Sequence, residues 1–130
     1  AIIAMITLQA PKYGIDPKLA LAIAEVESNF NPDATSSAGA VGVMQIMPNF
    51  YSQYTIEEVR SSKTNIKLGL ELLKEYKKIC PHKKNMTWVV CFNTGPTGAK
   101  KIKDPHQFGY YKKVMYALRK LQEGRLQAKK

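Results

Sequence analysis

A chain of 130 residues, 45% of them hydrophobic, has room for one folded domain with one core, and this composition excludes a largely disordered protein. No apolar run approaches the roughly 20 residues that a membrane-spanning helix needs. The 20 Lys and Arg residues against 10 Asp and Glu residues give a net charge of +10, which favours an anionic partner: nucleic acid, an acidic membrane surface or a cell-wall polymer.

The first half of the chain predicts two helices followed by a loop. Apolar residues at helical spacing over 1–10 predict the first helix of the domain rather than a signal peptide. Asp16 and Pro17 supply an N-cap and a first helical residue. The next helix, 17–30, is apolar nearly all round, which is typical of a buried central helix. The Ser-, Ala- and Gly-rich segment that follows predicts a loop with at most a small β-hairpin near residues 36–46.

The second half predicts further helices separated by proline and glycine breaks. The predicted segments are a short helical stretch from Pro48, a turn at 56–59, and helices over 65–79, 86–93 and 107–121, with breaks at Pro81 and Gly95-Pro96. The expected fold is therefore mainly α, one compact domain over 1–121 around the central helix. A basic and frayed tail is expected over 122–130.

Cys80 and Cys91 are the only cysteines of the chain. Two cysteines without a nearby His or Asp cluster do not predict a zinc site. Two alternatives remain, a disulfide or two free thiols in the core, because spacing in the sequence does not give the distance between the Cα atoms.

The central helix carries two carboxylates, Glu25 and Glu27. Residues two apart on a helix point about 200° apart, so the two side chains are not expected to share a site. Glu27 lies in the last turn before a Gly-rich loop, where a cleft can open. A carboxyl group in an apolar cleft has a raised pKa and can act as a general acid in glycosidic cleavage. The plainer alternative is that both are surface carboxylates.

The order of several motifs extends this hypothesis. The segment from Glu27 reads Glu-Ser-Asn-Phe-Asn-Pro-Asp-Ala, and Ser36 follows it. The segment from Gly39 reads Gly-Ala-Val-Gly-Val-Met-Gln-Ile-Met-Pro. Three later segments are Asn65-Ile66-Lys67-Leu68-Gly69, Phe92-Asn93-Thr94-Gly95-Pro96 and Tyr110-Tyr111-Lys112-Lys113-Val114. This series resembles the catalytic domain of the soluble lytic transglycosylase (SLT) family, which is related in fold to goose-type lysozyme. The resemblance covers about residues 10–116 and implies a lysozyme-like α+β superfamily fold.

The resemblance also implies roles for individual residues. Glu27 matches the catalytic glutamate, whereas Glu25 matches a variable position. The implied substrate-binding residues are Ser36, which lies close to the catalytic carboxylate in the family, and Gln45, Met47, Phe92, Asn93 and Tyr110, which line the cleft. Plainer roles stand beside these: Met47 can fill the core, Asn93 can cap a helix and Tyr110 can be part of the core.

Two positions depart from the family pattern. Phe92 stands where the family usually has Tyr, which removes any hydroxyl contact at that site. His106-Gln107 stands where the family often has Glu-Thr, which puts the subsite contacts there in question. The assignment of Glu27 does not depend on either position.

The implied activity is lytic cleavage of the β-1,4 bond between N-acetylmuramic acid and N-acetylglucosamine in peptidoglycan. No second carboxylate stands in the matched motifs as an obvious partner, although ordinary glycosidases use two. This suits a mechanism in which Glu27 acts first as acid and then as base, while the C6 hydroxyl of the muramic residue attacks C1 and closes a 1,6-anhydro ring. No metal and no organic cofactor is expected.

The expected partner is the glycan strand of peptidoglycan, reached in the periplasm or cell envelope by a domain that is monomeric in isolation. The setting stays open among wall turnover, a secretion or conjugation machine and a phage particle. Three alternatives remain: a goose-type lysozyme-like muramidase that hydrolyses the same bond, a non-catalytic wall-binding module, and a basic nucleic-acid-binding domain, for which no motif is present.

Overall fold

A computed structural model describes residues 1–124, and most of these residues lie in helices. The α-helices are α1 (Ile2–Gln9), α2 (Pro17–Ser28), α3 (Ile56–Arg60), α4 (Ser62–Ile79), α5 (Val90–Ala99) and α6 (Gly109–Gln122), joined in part by 3-10 turns at Ala10–Tyr13, Pro48–Phe50, Lys84–Val89 and Pro105–Gln107. The expected mainly α fold is confirmed. No helix within residues 1–124 combines the length and the apolar character that crossing a bilayer requires.

Helix α2 is the buried central helix that the sequence predicts. The Asp16 side chain accepts a hydrogen bond from the backbone N–H of Lys18 at 3.0 Å, which satisfies a donor at the start of the helix. The run Leu19–Ala24 is buried, and α2 packs against α1 and α6. The helix ends two residues before the predicted end, because Asn29 adopts a left-handed conformation with φ 54° and ends the helix there.

Helix α4 begins at Ser62, three residues before the predicted start, and ends at Ile79 as expected. Cys80 is extended, in agreement with the preference of a residue that precedes proline. The buried face of α4 supports the loop before α3 and the start of α5. The cysteines form a disulfide, with 6.1 Å between the Cα atoms of Cys80 and Cys91, so the end of α4 is tied to the start of α5.

The predicted helix over 86–93 is wrong in its bounds. Asn85 and Met86 have positive φ values of 57° and 64°, which interrupt the preceding turn, and α5 begins only at Val90. The predicted break at Gly95-Pro96 is a kink inside α5 rather than its end. Gly95 has a positive φ of 75° with ψ 162°, a conformation that glycine adopts without strain. Pro96 then starts the second helical piece, where a missing N–H has little cost.

The segment between α2 and the 3-10 turn at Pro48 is a loop with two isolated bridges, Thr35 to Val41 and Val41 to Ile46. This agrees with the prediction of at most a small hairpin. Asn65, buried at the start of α4, holds the loop in place: its amide donates to Val41 O at 2.9 Å and its Oδ1 accepts from Met44 N at 2.7 Å. The loop is therefore fixed from behind by α4.

The C-terminal helix is close to its prediction. Helix α6 starts at Gly109, because Pro105–Gln107 form a separate 3-10 turn, and it extends to Gln122. The predicted tail begins with this last helical residue, and its residues 125–130 lie outside the described part of the chain.

Candidate active site

Glu27 lies in the last turn of α2, where its side chain is half-buried. Its Oε2 accepts a hydrogen bond from the Tyr110 hydroxyl at 2.8 Å. Burial raises the pKa of Glu27 from about 4.5 to about 7, and the hydrogen bond from Tyr110 offsets part of that rise. Near neutral pH, Glu27 is therefore present in both the protonated and the ionised form.

Tyr110 fixes the orientation of this carboxyl group. It stands in the first turn of α6, and burial together with the neighbouring Glu27 raises its pKa well above 10, so that it remains a neutral hydroxyl donor. Donation to Oε2 leaves Oε1 to carry the proton when Glu27 is protonated. The alternative that Tyr110 only fills the core is wrong.

Glu25 has a different partner. Its Oε2 lies 3.7 Å from the Nζ of Lys120, and the Glu25 side chain is only 9% exposed. The two glutamates therefore belong to separate sites, as the helical spacing predicts. The alternative that both are surface carboxylates is wrong, because both side chains are substantially buried against α6.

The end of α2 is tied to the loop that faces it. The Ser28 hydroxyl donates to Val43 O at 2.7 Å and accepts a hydrogen bond from Asn31 N at 3.2 Å. These bonds fix the backbone immediately after Glu27. The sequence motif includes Ser28 and Asn65 but does not show these roles, because their partners are backbone groups of a loop without a regular pattern.

Two neighbouring cavities meet at the site. One has a volume of about 460 Å³ and is lined by Val26, Glu27, Asn93, Phe108, Gly109, Tyr110 and Lys113. The other has a volume of about 390 Å³ and is lined by Gln45, Ile46, Met47, Phe50, Tyr51, Leu72, Tyr76, Phe92, Asn93, Thr94 and Gly95. Asn93 lines both. We call the first the carboxyl cavity and the second the aromatic cavity.

Most of the predicted substrate-binding residues reach these cavities. Gln45, Met47 and Phe92 line the aromatic cavity. Gln45 has a positive φ of 55°, and its Nε2 donates to the carbonyl groups of Ala34 and Gly42 at 3.2 and 3.0 Å. The Gln45 side chain is therefore held rigidly at the cavity wall.

Ser36 lines neither cavity. Its hydroxyl accepts a hydrogen bond from Ala40 N at 3.0 Å and stabilises a turn within the loop. The implied proximity of Ser36 to Glu27 stays a prediction.

His106 and Gln107, which differ from the family pattern, do not line the carboxyl cavity either. The His106 ring contacts Tyr111 edge-on at 5.4 Å, and its Nε2 is 3.4 Å from the Asn85 amide. Within residues 1–124, no group of three or more His, Cys, Asp or Glu side chains is arranged to hold a metal ion.

Comparisons with known proteins show the family to which this chain belongs. A family model described as the transglycosylase SLT domain matches residues 4–114. Membrane-bound lytic murein transglycosylase C of Actinobacillus pleuropneumoniae serotype 5b (strain L20) is 52% identical over 44 residues, which cover 34% of this chain and 12% of that protein. The transglycosylase of Enterobacteria phage PRD1 is 36% identical over 64 residues, which cover 49% of this chain and 24% of that protein.

A solved structure has the same fold. It is an inactive mutant of the lytic transglycosylase Slt from Pseudomonas aeruginosa, in which a glutamate is replaced by glutamine. The TM-score is 0.77 at 20% identity, over 94% of this chain and 24% of that chain. The chain thus spans between 12% and 24% of the length of these relatives.

Proposed function

Because the chain belongs to the transglycosylase SLT domain family, we propose that it cleaves the β-1,4 bond between N-acetylmuramic acid and N-acetylglucosamine in peptidoglycan and leaves a 1,6-anhydromuramic product. The observation that carries this proposal is the state of Glu27. Its carboxyl group is buried enough to have a pKa of about 7, is oriented by Tyr110 and opens onto a cavity. Such a group can both donate and accept a proton near neutral pH.

In the first step, protonated Glu27 donates its proton to the bridging oxygen between the two sugars. The hydrogen bond from Tyr110 to Oε2 places this proton on Oε1, the oxygen that is left for the substrate. The C1–oxygen bond breaks, and N-acetylglucosamine leaves as the free alcohol. The carbonyl oxygen of the N-acetyl group on the muramic ring stabilises the positive charge that develops at C1.

In the second step, ionised Glu27 accepts the proton of the muramic C6 hydroxyl, and the C6 oxygen attacks C1 to close the anhydro ring. Glu27 ends the cycle protonated, and no water is consumed. Among the residues that line the carboxyl and aromatic cavities, Glu27 is the only carboxylic acid. Most retaining and inverting glycosidases use a second carboxylate, so this lining favours the route through the substrate's own groups.

The aromatic cavity suits a glycan strand. Tyr51, Tyr76 and Phe92 offer flat apolar faces on which sugar rings can stack. Gln45 adds a polar contact: its Nε2 is occupied by two backbone carbonyls, which leaves Oε1 for an N–H or O–H of the substrate. Asn93 lines both cavities and is therefore available to a glycan strand that spans them.

We place this activity in the periplasm or cell envelope. The relatives support this, since they are named a membrane-bound lytic murein transglycosylase and a phage transglycosylase. The disulfide between Cys80 and Cys91 adds an independent argument, because disulfides persist mainly in oxidising compartments.

Mass spectrometry of digested peptidoglycan tests the proposal. The expected products end in 1,6-anhydromuramic acid and are lighter by one water than the products of hydrolysis. Products with reducing muramic acid would instead identify a lysozyme-type muramidase on the same fold. Strands that are bound but not cleaved would identify a wall-binding module.

A further inference from the structure

Lys113 is a cation near the catalytic carboxyl group that the mechanism above does not use. It lies three residues after Tyr110 on α6, and residues three apart share one face of a helix. Accordingly, Lys113 lines the carboxyl cavity together with Glu27. It also lines a smaller neighbouring cavity of about 240 Å³ that shares Val26 with the first. Of the residues that line the carboxyl cavity, Lys113 is the only cation.

The charge of Lys113 is not engaged by the part of the chain that the structure describes. Its side chain is exposed, and no described residue forms an ion pair or hydrogen bond with it. Lys120 on the same helix differs: its Nζ lies 3.7 Å from the Glu25 carboxyl and 4.9 Å from the centroid of the Tyr116 ring. Lys120 thus has a structural role, whereas the ammonium group of Lys113 is available to a ligand.

Lys113 also leaves the proton donor undisturbed. Burial and the Tyr110 hydrogen bond account for the pKa of Glu27, which lies at about 7. An ammonium group close enough to pair with Glu27 would lower that pKa and weaken Glu27 as an acid. The charge of Lys113 is therefore placed to act on what occupies the cavity rather than on Glu27.

We propose that Lys113 binds a carboxylate carried by the muramic acid residue of the bound strand, an inference that rests on the proposed function. The bond that Glu27 protonates joins muramic acid to N-acetylglucosamine, so a muramic residue must lie beside Glu27. Its lactyl group ends in a carboxyl, which is either free or joined to a stem peptide that carries carboxylates of its own. A flexible ammonium stem suits such a group, since it reaches an anion without a fixed geometry.

Steady-state kinetics on peptidoglycan test this proposal by comparing the KM and kcat of Lys113→Gln with those of Lys112→Gln. Lys112 is the matched control, because it is also exposed, carries the same charge and lines none of the three cavities described above. Lys113→Gln is expected to raise KM about threefold to tenfold with kcat within about twofold, as for one exposed charge-assisted contact. Lys112→Gln is expected to leave KM unchanged, and Lys113→Arg to restore it. Equal KM values for the two Gln variants would overturn the proposal.

Two substrates distinguish the source of the carboxylate. In peptidoglycan with stem peptides, the lactyl carboxyl is consumed in an amide, whereas in strands stripped by an amidase it is free. A KM increase confined to the peptide-bearing substrate assigns the contact to the stem carboxylates. A KM increase on the stripped strands assigns it to the lactyl carboxylate. No increase on either substrate contradicts the proposal.

Binding separates this inference from the proposed reaction. In a Glu27→Gln background, addition of Lys113→Gln is expected to reduce co-sedimentation with insoluble peptidoglycan at low salt, and addition of Lys112→Gln is not. If the wild-type chain cleaves peptidoglycan but Lys113→Gln does not change co-sedimentation, only the role of Lys113 is contradicted. If the wild-type chain does not cleave peptidoglycan but Lys113→Gln reduces co-sedimentation, only the transglycosylase activity is contradicted.

Discussion

The two ends of α6 each place a side chain against a glutamate of α2, and the two pairs differ in the charge of the α6 partner. Near the start of α6, the Tyr110 hydroxyl donates to Glu27 at 2.8 Å. Near its end, the Lys120 ammonium group lies 3.7 Å from Glu25. Both side chains are partly buried, and the two pairs differ in the partner that α6 supplies.

The partner therefore decides what each carboxyl group can do. The ion pair with Lys120 makes the Glu25 carboxylate part of the contact between α2 and α6. A neutral hydroxyl partner offsets only part of the cost of burying the charge of Glu27, whose pKa remains at about 7. Glu25 and Glu27 both lie near the end of α2. Glu25 stabilises the contact with α6, whereas Glu27 is the group proposed to transfer protons.

Removal of the two carboxylates should separate these roles most strongly. Glu27→Gln is expected to lower kcat on peptidoglycan by about 1,000-fold or more, because it removes both the acid and the base. Glu25→Gln should stay within about threefold of the wild type. Release of anhydromuropeptides over time, followed by chromatography, measures both rates. Substantial turnover by Glu27→Gln would show that another group carries the chemistry.

The same two variants should change stability in opposite directions. The folded-state pKa of Glu27 is about 7 against about 4.5 when unfolded. Between these values the folded state holds a proton that the unfolded chain releases, so stability falls as pH rises from about 4.5 to 7 and then levels. At pH 8, Glu27→Gln avoids this cost and should be more stable by on the order of 3 kcal/mol, with no gain at pH 4.5.

Glu25→Gln is the control for this stability effect. It loses the ion pair with Lys120 and should be less stable at pH 8 by about 1 kcal/mol or somewhat more. Urea unfolding at pH 4.5, 6 and 8 measures both free energies. A gain for Glu27→Gln that does not depend on pH would contradict the raised pKa.

Parts of this arrangement could be predicted from local sequence, and parts could not. Asp16-Pro17 and Pro81 predict the bounds of helices because capping and proline act within a few residues. The start of α5 differs from the predicted one, because Asn85 and Met86 take left-handed conformations that neither residue type requires. Asn85 is contacted by a residue distant in the sequence, since its O accepts a hydrogen bond from the Tyr111 hydroxyl at 2.9 Å.

The candidate site follows the same division. The order of the motifs predicts Glu27 as the catalytic acid, and the structure places Gln45, Phe92 and Asn93 at the cavities. The bond between Glu27 and Tyr110 joins positions 83 residues apart, and local spacing does not reveal it. Lys113 is one of many basic residues in the C-terminal third of the sequence, and only the structure places it at the carboxyl cavity.

A change at Tyr110 should reduce activity less than replacement of Glu27 does. Tyr110→Phe removes the hydrogen bond that lowers the pKa of Glu27, so that pKa should rise above 7 and the alkaline limb of kcat/KM should move to higher pH. Loss of orientation should reduce kcat about tenfold.

Tyr111→Phe is the control for the Tyr110 variant. It removes a neighbouring hydroxyl that donates to Asn85 O at 2.9 Å and should leave the limb in place. Profiles of kcat/KM from pH 5 to 9 measure both variants. An unmoved limb in Tyr110→Phe would show that this hydroxyl does not control the protonation of Glu27.

The smallest expected effect concerns two lysines on the same helix. Lys120→Gln should lower the free energy of unfolding by about 1 kcal/mol, because it removes the partner of Glu25 and the cation above the Tyr116 ring. It should leave KM unchanged. Lys113→Gln makes the same change of charge and should leave stability unchanged while raising KM. Urea unfolding and steady-state kinetics on both variants decide the matter, since a loss of stability in Lys113→Gln would mean that Lys113 also supports the fold.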